Sequence, residues 1–351
     1  MKPVSDAACL QNWMTNLRDL LRHAVKPDPS PRVAGVPTRR QERAVVAPPP
    51  RSSDSVGASS RTDHLAGRSV ESAMTASPID PDPGLRLSLF GPLRAYVGGQ
   101  LAIDERFTRR KAKALLALLY LERRRYITKD ELMETLWPNL EEPAADSGRL
   151  KQTVLVLRRA LEGRASRRTG WRYIAERDGS YYFNTHVAYG SDLEDFEQEL
   201  ILAHSDQQLG DAEGALQHFQ RAFALHKAEL LPEFRYDDWA ANEITRVREE
   251  YLQALEDAAR LHGARGEYIR AVDLLRRATH EDPLRESSTL QLMEWLWRNG
   301  DQAEAVRAYL RLHDVLAKRL QLEPDPKITA LFHAIRRAAG GKQGPGLSAV
   351  S

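Results

Sequence analysis

The second half of the chain repeats one combination of three residue types, and this repeat constrains the fold more than any other feature. Gly210, Gly266 and Gly300 are each followed five residues later by an alanine and nine residues later by a large apolar residue. The alanines are Ala215, Ala271 and Ala305, and the large residues are Phe219, Leu275 and Tyr309. Small alanines let paired helices approach closely, and the large residue fills the groove between neighbours. The pattern therefore predicts stacked helix pairs.

The spacing within this repeat is that of tetratricopeptide (TPR) helix pairs. Gly266 and Gly300 are 34 residues apart, and Pro283 follows Gly266 after 17 residues. Gly210 and Gly266 are 56 residues apart, that is one repeat plus an insertion of 22, which we place at residues 230–243. The apolar period throughout is helical, so an irregular helical bundle, the alternative, leaves the all-α prediction unchanged.

Residues 85–188 have a different sequence pattern. At both ends of this region the pattern is typical of short strands. Three alternating segments, separated by Gly-Pro and Gly-Gly, predict antiparallel strands: LRLSLFG, PLRAYVG and QLAI. Farther along, Trp171–Ala175 and Tyr181–Asn184 flank the turn residues Asp178 and Gly179, which predicts a β-hairpin.

Three helices are predicted between these strands and the hairpin. Thr108 is assigned as the N-cap of the first, and the capping-box pattern Thr128–Glu131 opens the second, which Pro138 ends. The third covers Ala145–Glu162, where four apolar residues share one helix face: Leu150, Val154, Leu157 and Leu161. The opposite face carries Gly148, Lys151, Gln152, Leu155 and Arg159.

That opposite face has the chemistry of a helix that enters the DNA major groove. Lys and Arg pair with phosphates or guanine, and Gln pairs with adenine. A solvated face is the alternative for this helix alone. The order of three strands, three helices and a hairpin is that of the OmpR-type winged helix-turn-helix, in which the third helix reads DNA. The hairpin tip Arg177–Tyr181, with Arg172 nearby, is then predicted to act as the wing.

The net charge changes sign at the boundary between these two regions. Residues 85–188 hold 20 Lys/Arg against 12 Asp/Glu, a net charge of +8. Residues 189–340 hold 19 against 28, a net charge of −9. The basic half indicates a polyanionic partner, and the acidic half is expected to face proteins.

The motifs of enzymes and metal sites are missing from the sequence. Cys9 is the single cysteine, and no phosphate-binding GxxxxGK[ST], HExxH or GxSxG pattern occurs. We therefore expect no enzyme, no cofactor and no metal. Two non-enzymatic alternatives remain: a TPR-type protein-interaction adaptor with a basic nucleic-acid-binding domain, and a response regulator. For the latter, residues 1–84 are too short and too rich in Pro and Ser to form a receiver domain.

Residues 1–84 and 341–351 are predicted to be a disordered extension and a disordered tail, because they hold few large apolar residues. Leu10–Val25 has helical spacing and is an exception; a translation start at Met74 would also explain the extension. No apolar run approaches eighteen residues and no signal peptide is evident, so we expect a cytoplasmic protein without membrane contact.

Taken together, residues 85–340 resemble the SARP family of bacterial activators, which join an OmpR-type winged helix to a bacterial transcriptional activation domain (BTAD) of TPR-like helices. The matching stretches are LSLFGPLRAYVGG, KALLALLYL, DELMETLW, LKQTVLVLRRAL, GSYYFN, SDLEDFE, DPLRE and VRAYLRLHDVLAKRLQLEPDP. The resemblance implies binding to double-stranded DNA at repeated promoter half-sites as a homodimer, and recruitment of RNA polymerase. It departs from the family at Val156, where a basic residue is common, and at Gln321, where glycine is common.

The resemblance also implies which residues contact DNA. In the third helix these are Lys151, Gln152, Leu155 and Arg159, and near the wing they are Ser180 and Tyr181. Lys111 and Lys113 are expected to approach phosphates from the first helix. The remaining basic candidates are Arg149, Arg158, Arg172 and Arg177, of which Arg158 lies at the edge of the helix face and is equally suited to an acidic neighbour. The predicted fold is thus an α+β winged helix-turn-helix domain (residues 85–188) followed by an all-α TPR-like domain (189–340).

Overall fold

The structure is a computed structural model, and it describes residues 84–138, 147–163 and 170–340. These residues all belong to one compact unit, Met74–Ser351. The predicted extension with its helix at Leu10–Val25, the predicted tail and the first two residues of the predicted third helix lie outside the described residues. The described chain is mostly helical and begins with a small sheet.

Seven strands occur in the described ranges, and they form two sheets. The strands are β1 (Leu85–Ser88), β2 (Arg94–Val97), β3 (Gln100–Ile103), β4 (Ile127–Thr128), β5 (Ile174–Arg177), β6 (Ser180–Phe183) and β7 (Tyr189–Ser191). The first sheet has the order β3-β2-β1-β7, and its first three strands are antiparallel as predicted. β7, which no sequence pattern indicated, pairs parallel to β1.

The second sheet has the order β4-β6-β5 and contains the predicted hairpin. Asp178 and Gly179 connect β5 to β6 with φ angles of 48° and 79°, as the Asp-Gly turn predicts. The first hairpin strand begins at Ile174 and not at Trp171 as predicted. The backbone N–H groups of Arg172 and Tyr173 instead donate to the carboxylate of Glu162.

Ten helices occur in the described residues. They are α1 (Arg110–Leu121), α2 (Lys129–Leu136), α3 (Ser147–Glu162), α4 (Asp192–Leu209), α5 (Ala212–Leu225), α6 (Asp238–Ala264), α7 (Tyr268–Glu281), α8 (Glu286–Arg298), α9 (Gln302–Leu320) and α10 (Pro326–Gly340). A short 3-10 helix, Pro232–Phe234, precedes α6. None of these helices is long and apolar enough to cross a membrane.

The two predicted N-caps had different outcomes. The Thr128 side chain accepts a hydrogen bond from the backbone N–H of Glu131 at 3.2 Å, which confirms the start of α2. Thr108 was wrongly assigned, because α1 begins one residue later than predicted: Arg109 occupies the N-cap position and makes no side-chain capping bond.

The repeat in the second half corresponds to three helix pairs, α4/α5, α6/α7 and α8/α9. Each repeat glycine lies in the turn within a pair and has a positive φ, of 80°, 78° and 90° for Gly210, Gly266 and Gly300. Such φ values favour glycine because it has no Cβ. The repeat alanines are fully buried, and the large residues that follow them are no more than 7% exposed. The 22 extra residues fall in the segment before α6 and in the first turns of that long helix.

Candidate nucleic-acid interface

α3 is attached to the rest of the molecule through its predicted apolar stripe. Leu150, Val154, Leu157 and Leu161 are each at most 2% exposed and belong to the main hydrophobic core. Fully burying an aliphatic side chain of this size contributes about 1.5–3 kcal/mol. The stripe therefore fixes which face of α3 points away from the core.

The opposite face of α3 is available to a ligand. Lys151, Gln152 and Arg159 are exposed, and in the described ranges none of them has a polar side-chain partner. Gly148 is exposed, with open space where a Cβ would stand, and Leu155 is half-buried. These are the residues predicted to share this face. Arg149 is exposed as well, but it already has an interaction partner within the chain.

Arg158 belongs to a different surface from the one predicted. Its Nε donates to the backbone carbonyl of Ile174 in β5 at 2.9 Å, and the residue is only 9% exposed. Its guanidinium lies over the rings of Trp171 and Tyr181, 5.3 and 5.5 Å from their centroids. Burial lowers the pKa of this guanidinium. We therefore correct its assignment: Arg158 connects α3 to the hairpin and is shielded from a DNA ligand.

A second connection joins α3 to the segment that leads into the hairpin. The Glu162 carboxylate accepts from the backbone N–H of Arg172 at 2.8 Å and from that of Tyr173 at 3.0 Å. With Arg158 one helical turn earlier, two side chains of α3 thus hold the hairpin at separate points. The hairpin is fixed relative to the exposed face of α3.

α2 is joined to the same hairpin. β4, which directly precedes α2, pairs with β6, and Lys129 Nζ donates to Glu176 of β5 at 2.6 Å. The hydrogen bond raises the pKa of Lys129 and lowers that of Glu176, so both groups are charged near neutral pH. Because both side chains are about one-third exposed, this pair contributes about 1 kcal/mol or less to stability.

The hairpin tip is exposed, but not all of its predicted contacts are. Arg177, Asp178 and Gly179 face solvent, and Ser180 is half-buried. Tyr181 is only 3% exposed, and burial raises the pKa of its hydroxyl. We therefore correct Tyr181 from a DNA contact to a core residue of the hairpin. Arg172 is exposed, with its guanidinium 5.4 Å from the ring centroid of Tyr173.

The two lysines of α1 lie in internal contacts. Lys113 is 7% exposed, and its Nζ lies 3.7 Å from the carboxylate of Glu233, so its predicted phosphate contact is incorrect in this structure. Lys111 is half-buried; its Nζ donates to the carbonyl of Leu136 and lies 5.9 Å from the ring centroid of Trp137. Lys111 thus holds the end of α2, and its expected phosphate contact stays a prediction.

Sequence reasoning missed the side chains that position this surface: Lys129, Glu162, Trp171 and Glu176. Nothing in the sequence distinguishes these four residues from other polar or aromatic residues. Their positioning role depends on contacts that form only in the folded chain. The one available signal was the spacing of Arg158 and Glu162, which places both on the same side of α3. In the described residues, no cluster of three His, Cys, Asp or Glu side chains could hold a metal ion.

Comparison with known proteins finds a family match in the second half of the chain and relatives whose similarity extends over about three-quarters of it. The Bacterial transcriptional activator domain (BTAD) family matches residues 191–336. The regulatory protein AfsR of Streptomyces griseus is 29% identical over 254 residues, which cover 72% of this chain and 25% of AfsR. The chain thus spans about a quarter of that relative. The regulatory protein DnrI of Streptomyces peucetius is 24% identical over 272 residues, which cover 76% of this chain and 98% of DnrI.

The structural comparison extends over both halves. The solved structure of Mycobacterium tuberculosis EmbR in complex with a low affinity phosphopeptide superposes with a TM-score of 0.61 and 25% sequence identity. The match covers 73% of this chain and 65% of that one, so it extends beyond the helical half. On these matches, the chain is similar to bacterial transcriptional regulators of the SARP family, and its residues 191–336 match the bacterial transcriptional activator domain.

Proposed function

We propose that this protein is a sequence-specific DNA-binding transcriptional activator, in which residues 85–188 act as a winged helix-turn-helix and α3 reads the major groove. The observation that carries the proposal is the exposed face of α3. The side chains of Lys151, Gln152 and Arg159 have no intramolecular polar partner in the described ranges, although they lie on a helix whose other face is buried. Side chains of these three types donate to guanine, adenine and phosphate oxygens.

The connections between α3 and the hairpin support a wing that acts together with the reading helix. Arg158 and Glu162 hold the hairpin against α3, so that its exposed tip, with Arg177, has a fixed direction relative to the reading face. A fixed tip contacts the backbone or the minor groove next to the site that α3 occupies. Recognition by two preorganised elements loses less conformational entropy on binding.

The helical half, residues 189–340, is proposed to pair two protomers on repeated half-sites and to contact RNA polymerase. Its net charge of −9 opposes direct binding to DNA, and stacked helix pairs present extended surfaces for proteins. Activation, and not simple occlusion of a promoter, is the function that this second half adds. The match of residues 191–336 to the bacterial transcriptional activator domain and the similarity to DnrI support the same function.

The proposal is tested by selecting binding sites for the full-length chain from randomised duplex DNA. Lys151→Ala, Gln152→Ala and Arg159→Ala are each expected to relax the selected sequence, because one bidentate base contact discriminates by about 1–3 kcal/mol. Lys318→Ala is the matched control: this exposed lysine of α9 pairs with Asp314 at 2.8 Å, far along the chain from α3.

Two results would contradict the proposal. The first is that the wild-type chain enriches no sequence at low salt. The second is that the three α3 variants and Lys318→Ala select the same site as the wild type, since the reading face would then lie elsewhere.

A further inference from the structure

The segment between α5 and α6 lies against the N-terminal half of the molecule, and we call residues 229–237 the strap. Two backbone hydrogen bonds attach it: Gly91 N–H donates to the carbonyl of Glu229, and Leu231 N–H donates to the carbonyl of Leu89, both at 2.9 Å. Most of the strap lies in the insertion that interrupts the helical repeat. The extra residues therefore connect the two halves of the protein.

Glu233 is the polar centre of this contact. Its Oε1 accepts a hydrogen bond from the backbone N–H of Leu93 at 2.8 Å and lies 3.7 Å from Lys113 Nζ. The Lys113 side chain is 9% exposed, so the ion pair is largely shielded from solvent. Removing one partner of such a pair leaves the other charge buried and unpaired, which is strongly unfavourable. The strap is thus bound to α1 and to the β1–β2 connection at once.

A third group attaches the end of the strap to the start of α1. Arg110 Nη2 donates to the backbone carbonyl of Glu233 at 3.0 Å and to the carboxylate of Asp237 at 2.6 Å. Its guanidinium also lies 5.5 Å from the ring centroid of Phe234. Because Arg110 is exposed, this contact is weaker than that of Glu233, but it closes the strap over α1.

The apolar side chains of the strap are held in one conformation. Leu230, Leu231 and Phe234 are each at most 2% exposed, and they are part of the core shared by both halves. Leu231 has a φ of 46°, a left-handed conformation that costs a non-glycine residue free energy. Such a conformation persists only where neighbouring contacts determine it. The strap is therefore a fixed connection and not a flexible linker.

The two halves are joined at a second place, at the start of α4. The Asp192 carboxylate accepts from the backbone N–H of Leu89 at 2.8 Å and from the Ser88 hydroxyl at 2.9 Å. Arg123, two residues after the end of α1, donates to Glu194 at 2.9 Å. Two separate attachments remove the rotation that a single linker allows. The orientation of the N-terminal half on the helical half is thereby set.

We propose that Glu233 of the strap is a positioning residue that sets the separation of the half-sites accepted by a pair of protomers. The inference rests on the proposed function, in which protomers pair through the helical half and read DNA through α3. With both halves held rigidly, the distance between the two reading helices is fixed. Glu233 itself pairs with Lys113 of α1 and is not part of the exposed face of α3 that is proposed to read DNA.

The test compares Glu233→Ala and Glu233→Gln with the wild type, all as full-length chains. Glutamine retains an acceptor for Leu93 N–H and loses the ion pair with Lys113. Glu233→Gln is therefore the variant to measure if Glu233→Ala impairs folding. Glu199→Gln is the matched control, because Glu199 is similarly shielded but contacts His218, at 2.6 Å, inside the helical half.

Affinity is measured on duplexes that carry the half-site selected by the wild type, either once or twice with varied spacing. The wild type is expected to lose about tenfold or more when the spacing changes by about half a helical turn. The Glu233 variants are expected to bind a single half-site within about twofold of the wild type and to show a flatter spacing profile. An unchanged spacing profile in a folded Glu233 variant overturns the proposal.

A measurement without DNA separates this inference from the proposed function. In a Cys9→Ser background, spin labels at Arg124→Cys and Lys318→Cys report the distance between the two halves, since both positions are exposed. We expect one narrow distance distribution, which Glu233→Ala broadens and Glu199→Gln does not. Broadening in a chain that binds no duplex refutes the proposed function and not the strap, whereas an unchanged distribution refutes the role of the strap.

Discussion

Arg158 Nε donates a 2.9 Å hydrogen bond to the backbone carbonyl of Ile174, and this bond connects the C-terminal half of α3 to the first strand of the hairpin. The side chain of the neighbouring Arg159 is exposed and has no polar partner in the described ranges. Two consecutive arginines in one helix thus have opposite roles. One stabilises the surface, and the other is free to bind a ligand.

The first prediction uses this pair. Arg158→Met is expected to destabilise the protein by about 1–3 kcal/mol, because it removes a largely buried hydrogen bond to a charged group and leaves the stem packed. Arg159→Met is expected to change the free energy of unfolding by no more than about 0.5 kcal/mol, since the side chain is exposed. Urea unfolding of the full-length chain measures both.

DNA binding gives the reciprocal control for the two arginines. Arg159→Met is expected to alter the sequence selected from randomised duplex DNA, whereas Arg158→Met, below its unfolding transition, selects the wild-type sequence with reduced affinity. A changed base preference in Arg158→Met, together with an unchanged one in Arg159→Met, would show that the DNA-contacting face of α3 is assigned incorrectly.

Arg158 also illustrates how far the sequence could predict the site. Helical periodicity correctly separated the buried stripe of α3 from the face with Lys151 and Gln152, because burial follows the helical period. It could not decide the edge of that face, where Arg158 is located. The burial of Arg158 depends on its contacts with Trp171 and Tyr181, and no sequence pattern predicts these contacts.

The same limit applies to Lys113 and to β7. Lys113 resembles a surface lysine in a basic helix, and only the strap, 120 residues later, supplies the carboxylate of Glu233 that shields it. β7 is three residues long and has no alternation to detect; its pairing with β1 arises because Asp192, directly after it, binds the end of β1. The repeat was predictable because glycine and alanine are required locally, at Gly266 and Ala271 for example.

The second prediction concerns Gln321, which ends α9 with a φ of 57°. Glycine adopts this left-handed conformation without strain, so Gln321→Gly is expected to stabilise the protein by about 0.5–1 kcal/mol. Gln217→Gly is the matched control: this exposed residue lies inside α5, where glycine is expected to cost about 1 kcal/mol. Equal destabilisation by both substitutions in urea unfolding would contradict the expectation.

The third prediction is a loss of stability in mild acid that depends on His226. Burial lowers the pKa of His226 to about 4, and its ring stacks on Tyr251 with 3.8 Å between the ring centroids. Because the folded pKa is below the unfolded value, the contribution is complete above about pH 6.5 and is lost as the pH falls towards about 4. Near pH 5 the loss is expected to be about 1–2 kcal/mol.

His226→Phe tests this origin of the acid sensitivity. Phenylalanine retains a ring between Phe90 and Tyr251 but takes up no proton, so the free energy of unfolding should fall less between about pH 7 and about pH 5. His186→Gln, which replaces an exposed histidine, should retain the wild-type decrease. If His226→Phe shows the full wild-type decrease in the free energy of unfolding, another titratable group causes the acid sensitivity.

The last prediction separates the wing from the reading helix by salt dependence. Arg177 is exposed at the hairpin tip, where its guanidinium lies near Asp178 of the same turn, at 3.4 Å. If it neutralises one phosphate, Arg177→Ala should reduce the slope of log K against log salt by about 1, because one fewer counterion is released. The selected sequence should remain that of the wild type, since phosphate contacts carry no base information. Arg307→Ala removes the same charge from α9, where Arg307 pairs with Glu304 at 2.8 Å, and should leave the slope unchanged. An equal decrease in both variants would mean that the salt dependence reflects overall charge and not a contact by the wing.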